Sequence, residues 1–85
     1  MSLISIVLPA YNEDKNILKL INELRKYLPS SHIVIIDDSP NNITNNIIDT
    51  IKYNDLLIHY IKRNQKLGRY SAVIEGMKYL INNKI

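Results

Sequence analysis

The 85-residue sequence predicts a three-layer α/β/α domain on a short parallel sheet, in element order β-α-β-α-β-α and spatial strand order 3-2-1. Three observations lead there. Apolar runs at residues 3–8 (LISIVL), 32–37 (HIVIID) and 56–61 (LLIHYI) alternate with stretches whose apolar residues recur at three- and four-residue spacing. Each run is too apolar to leave one face in water, which marks strands covered on both sides. Right-handed crossovers then wind three successive units in one direction and leave the first strand at an edge.

The elements follow in order. Pro9 closes the first strand. Asn12 offers an N-cap to the first helix, with Glu13 and Asp14 where the helix dipole favours negative charge. Ile17, Leu20, Ile21, Leu24 and Leu28 form one apolar stripe, and Pro29 marks the end. After the second strand, Ser39, Pro40, Asn41 and Asn42 make a turn and cap cluster, followed by a weaker stripe at Ile43, Ile47, Ile48 and Ile51. The third strand leads into the loop KRNQKLG. A last helix over residues 69–80 is expected to carry Val73, Gly76, Met77 and Leu80 inward.

Composition narrows the function. With 46% hydrophobic and 22% charged residues the chain reads as one small globular domain, and no segment approaches the roughly 18 apolar residues of a membrane span. There is no basic stretch ahead of the first apolar run and no cysteine, so a signal peptide, disulfides and thiolate metal sites are not expected and a cytoplasmic location is. The net charge of +3 gathers mildly between Lys62 and Arg69, without the interleaved aromatics of a nucleic-acid surface. A loop that is solvated, or that meets one small polyanion, suits it better.

In open parallel sheets ligands bind beyond the carboxyl ends of the strands. That brings Pro9, Ala10 and Tyr11 beside Asp37 and Asp38. Neighbouring strand residues point to opposite faces, so the two carboxylates do not share a site. Asp37 suits an Asx-type cap of the following turn. Asp38, nearer the crevice, accepts hydrogen bonds only and so selects a donor-bearing partner such as the imide N–H of uracil or the N1–H and amino group of guanine. Tyr11 can supply an aromatic face and Glu13 an acceptor for ribose hydroxyls. Taken singly, Tyr11 also reads as a surface-packed tyrosine and Glu13 as a first-turn acid. His32 and His59 lie at strand positions away from the crevice and read as packing or surface histidines.

The segments ISIVLPAYNEDKNILKLINEL, IVIIDDSPNNIT and RNQKLGRYSAVIEGMKYL together resemble the N-terminal half of a family 2 glycosyltransferase of GT-A fold, of the dolichyl-phosphate mannose synthase-like kind. The resemblance implies the nucleotide-binding half of a Rossmann-like fold. It implies that Pro9, Ala10, Tyr11, Glu13, Ile36 and Asp38 hold the nucleoside of a UDP- or GDP-sugar. Arg63, Lys66 and Arg69 are candidate diphosphate contacts, beside the alternative of solvated charge. Departures are Asn41 and Asn42 where the family usually has Gly and Asp, and Leu67-Gly68-Arg69-Tyr70 in place of LGLG.

Family members bind Mg or Mn through a D-x-D motif at the end of a fourth strand and supply a general base beyond it. No D-x-D occurs in the 85 residues, so sugar transfer by these residues alone is not expected, and neither a catalytic nor a metal-binding residue is assigned. The edge strand from Leu3 to Leu8 implies a cover, most simply a homodimer with a second copy antiparallel across a two-fold axis, a non-catalytic alternative that keeps the fold. A receiver-type signalling domain fits less well, because its strand ends would carry acids where this chain has Pro9-Ala10 and Lys62-Arg63. Phosphate-loop and dinucleotide fingerprints are absent.

Overall fold

The computed structural model describes residues 4–63, 65 and 67–85, so Leu3 and Lys66 lie outside the described residues. The chain runs β1 (Ser5–Ala10), α1 (Ile17–Tyr27), β2 (His32–Asp37), α2 (Ile43–Ile51), β3 (Ile58–Lys62) and α3 (Arg69–Asn82). All three strands are parallel in spatial order β1-β2-β3, with Val7 beside Val34 and Val34 beside His59. The expected architecture and strand order are therefore present. Among the described residues no helix is long and apolar enough to cross a membrane.

Strand alternation divides the interior into two layers. Ile33 and Ile35 of β2 meet Ile17 and Ile21 of α1 and Ile48 of α2, while Val34 and Ile36 face Ala72 of α3. Residues 33–36 have no solvent exposure at all. Burying a side chain of this size contributes about 1.5–3 kcal/mol, which makes β2 the anchor of both layers. On the α3 side the helix comes close enough that a Cβ at Gly76 would stand 2.9 Å from Val7 Cγ2 and nearer still to Cγ1. Gly76 is what permits that approach.

Several local expectations are corrected. β1 continues through Pro9 to Ala10. The Asp38 N–H donates to the Ala10 carbonyl, so the neighbouring Pro9 turns its backbone to the open side, where its missing N–H breaks no ladder bond. Asn12 does not cap α1, which begins four residues after Glu13 with Asn16 as cap residue and no acid in its first turn. Asn12 instead has φ 54°, and its N–H donates to Ser39 Oγ at 2.7 Å, tying the β1 turn to the end of β2. Leu20 and Leu56 are exposed, and so is Met77, whose place inside is taken by Ala72 and the half-buried Tyr79.

The two histidines form a polar clamp between sheet and helix. His32 Nδ1 lies 2.9 Å from His59 Nε2, and His59 Nδ1 lies 2.9 Å from Tyr79 Oη on α3. The ring centroids lie 5.2 Å apart with planes 25° from parallel. Burial, and then the charge of His32, hold the His59 pKa below its ordinary value of 6.5. The folded state thus favours neutral His59, and its contribution to stability is complete above pH 6.5 and lost as pH falls below it. Urea midpoints should therefore decline between about pH 7 and 5, and His59→Gln should flatten that slope. A slope unchanged in the variant would refute this origin.

Candidate functional site

Beyond the carboxyl ends of β1 and β2 lies a crevice of about 280 Å³ lined by Pro9, Ala10, Tyr11, Glu13, Asp38, Gly68, Arg69 and Ala72. Five residues named from the sequence as nucleoside contacts, Pro9, Ala10, Tyr11, Glu13 and Asp38, come together here, joined by Arg69 from the expected diphosphate group. Ile36 does not line it. Its side chain is fully buried against Ala72 and Val34, beneath the floor. Lys66 falls outside the described residues.

The adjacent carboxylates separate as alternation requires. Asp37 turns to the α1 and α2 side, where its Oδ1 accepts from the Ser39 N–H at 2.9 Å and its Oδ2 from the Tyr60 hydroxyl at 2.5 Å. The first bond is the Asx-type turn expected of it. Lys62 Nζ stands 3.8 Å from the same carboxylate and donates to the carbonyls of Ser39 and Asn41. Burial, and then the bond to Asp37, hold the Tyr60 phenol far above its usual range, so it stays protonated as a donor. This network braces the turn.

Asp38 turns to the α3 side and meets Arg63 in a fork: Nε to Oδ1 and Nη2 to Oδ2, both 2.6 Å. Each side chain is only 7% exposed. The guanidinium also donates from Nη1 to Ser71 Oγ at 2.9 Å and from Nη2 to the Gly68 carbonyl at 3.4 Å. The bond from Arg63 lowers the Asp38 pKa against the opposing effect of burial, so Asp38 is anionic at neutral pH. Reciprocally, the carboxylate raises the Arg63 pKa.

Arg63 is therefore a buried partner of Asp38 and no solvated loop cation. A carboxylate oxygen accepts more than one bond, so Asp38 keeps acceptor capacity toward the crevice. Gly68, with φ 92°, turns the chain into α3 and sets Arg69 at the crevice wall. Gly68 is the glycine of an LGLG loop that this chain keeps, and it is the one that takes the positive φ.

Sequence reading missed Ser39, Ser71 and Ala72, which hold or line the crevice. Small residues next to charged ones carry no chemical signature of their own. The register of α3 against β2 reveals Ser71 and Ala72, and the Asn12 bond reveals Ser39. No group of three or more His, Asp or Glu residues able to hold a metal occurs among the described residues, and Asp37 and Asp38 point to opposite faces. The described residues do not fit a divalent metal site.

Breaking a buried pair from one side leaves an uncompensated charge, at a cost of about 3–5 kcal/mol. Arg63→Met should lower the unfolding free energy by that order, whereas the double variant Asp38→Leu/Arg63→Met should recover most of the loss. Urea titration checks both. A single variant within about 0.5 kcal/mol of the parent would contradict the buried pair.

Residues 5–82 of the chain match the family model for glycosyl transferase family 2. It is similar to an uncharacterized protein of Methanocaldococcus jannaschii, 31% identical over 77 residues, covering 89% of this chain and 33% of that protein. It is also similar to an undecaprenyl-phosphate mannosyltransferase of Micrococcus luteus, 29% identical over 73 residues, 86% of this chain and 30% of the enzyme. A polyprenol monophosphomannose synthase of Mycolicibacterium smegmatis is 25% identical over 75 residues, 87% of this chain and 28% of the enzyme. No solved structure matches at comparable significance. The chain spans about a third of the length of these relatives. With the profile running through every strand and helix, the chain belongs to glycosyl transferase family 2.

Proposed function

We propose that this domain binds the nucleoside part of a UDP- or GDP-sugar in the crevice between Tyr11 and Asp38, without carrying out sugar transfer through these 85 residues alone. The observation that supports the reading is the convergence of Pro9, Ala10, Tyr11, Glu13 and Asp38 on one crevice at the strand ends. Asp38 accepts from the N–H edge of uracil or guanine, and Arg63 keeps it ionised and aimed. Tyr11, 41% exposed at the wall, supplies a stacking face, and Glu13 an acceptor for ribose.

Arg69 stands where the diphosphate would leave the crevice, and Lys66 belongs to the same loop by sequence. A second reading, a non-catalytic homodimer that keeps the fold, draws on the position of β1 at the sheet edge.

Titration calorimetry with UDP and GDP, with and without manganese, tests the binding. Saturable heat is expected for at least one nucleotide at millimolar concentration, weakened in Tyr11→Ala by the roughly 1–3 kcal/mol of a lost stacking face. No heat from either nucleotide at millimolar concentration would overturn the proposal.

A further inference from the structure

We propose that the buried Ser39 hydroxyl is a positioning group for the crevice: it sets the turn that presents Tyr11 and Glu13, while Asp37, Tyr60 and Lys62 hold Ser39 from the α1 and α2 side of the sheet. The inference rests on the nucleotide reading above and names a residue that acts on the ligand without touching it.

Chain geometry brackets Tyr11. The β1–β2 ladder ends where the Ala10 carbonyl accepts from the Asp38 N–H at 2.9 Å. A regular parallel ladder would send the next donor, the Asn12 N–H, to the Asp38 carbonyl. Asn12 instead has φ 54°, and its N–H reaches the Ser39 hydroxyl oxygen at 2.7 Å. Tyr11 therefore sits between two ties, one to Asp38 and one to Ser39. The Glu13 carbonyl, next in the chain, accepts from the N–H groups of Asn16 and Ile17 at the start of α1. The segment that carries the stacking face and the ribose acceptor is thus fixed through its backbone at Ala10, Asn12 and Glu13.

Ser39 is held by its own backbone. It is 2% exposed, so water does not compete for its hydroxyl. Its N–H donates to Asp37 Oδ1 at 2.9 Å and its carbonyl accepts from Lys62 Nζ. Pro40 after it disfavours the helical backbone region. The Tyr60 hydroxyl fixes the Asp37 carboxylate through its second oxygen at 2.5 Å. Ser39 is not part of the crevice lining. The adjacent acids thus divide the work: Asp38 meets the base, and Asp37 acts on the site through Ser39 and Asn12. A turn held in its bound shape loses less freedom when the ligand arrives, and that difference appears as affinity.

Ser39→Ala deletes the acceptor alone, and calorimetry with UDP and GDP together with amide hydrogen exchange tests its role. Ser39→Ala should raise the Kd of the nucleotide that binds the parent about threefold to tenfold, with an unchanged circular dichroism spectrum. In a Tyr11→Ala background the same change should raise Kd less than about twofold, because the face it positions is already gone. The Asn12 amide should exchange at least about tenfold faster in Ser39→Ala, while the Asp38 amide bonded to Ala10 keeps its protection. In the parent, the Asn12 amide should exchange at least about tenfold slower than in an unstructured peptide of the same sequence, and an unprotected Asn12 amide would overturn the proposal even if Ser39→Ala did not fold. A Kd unchanged in Ser39→Ala, or raised equally with and without Tyr11, would overturn the positioning role and leave the nucleotide reading standing. A parent that binds neither nucleotide would overturn both.

Discussion

The buried pairing of Asp38 with Arg63 is the constraint on which the crevice depends. A carboxylate at the end of a fully buried strand cannot remain charged without a partner. Arg63 meets that need with a two-pronged contact from the end of β3 and, through Ser71 and the Gly68 carbonyl, fastens the start of α3 to the same point. The ends of β2 and β3 and the start of α3 are held together by one guanidinium. Such a pair adds little net stability over an apolar replacement, because desolvation offsets its attraction. Its contribution is position: an ionised acceptor aimed into the crevice beside Tyr11.

The helix α3 is fixed at both ends and close in the middle. Ser71 bonds the Asp38–Arg63 pair near its first turn, Gly76 rides on Val7, and Tyr79 closes the chain through His59 to His32. The same helix carries Arg69 and Ala72 into the crevice wall. The crevice wall and the stability of the fold therefore share one element. An 85-residue domain hides only about 60–65% of the surface of its unfolded chain, so polar clamps of this kind matter more than they would in a larger core.

The architecture was legible because strand and helix periods are strong signals. The run of Ile33, Val34, Ile35 and Ile36 can only be a strand covered on both sides, and the opposite facing of Asp37 and Asp38 follows from the same two-residue period. The start of α1 was not legible, because Asn12 is as suitable for a left-handed turn as for a cap, and its bond to Ser39 spans 27 residues. Met77 was misread because α3 has apolar residues on two flanks and spacing alone does not tell which faces the sheet. The pairing of Arg63 with Asp38 was equally hidden, since a loop arginine after a strand carries no mark of burial. What the sequence did reveal of the crevice came from residues that end strands, where fold and ligand position are linked.

The most direct measurement is a ¹⁵N-correlated NMR titration of the folded chain with UDP and with GDP, following the Arg63 side-chain Nε–H together with the backbone amides. If a nucleobase docks against Asp38, the Arg63 Nε–H signal and the amides of Ala10, Tyr11, Gly68 and Arg69 move together along one saturation curve. Movement confined to residues away from the crevice, or a stationary Arg63 Nε–H at millimolar nucleotide, would contradict it.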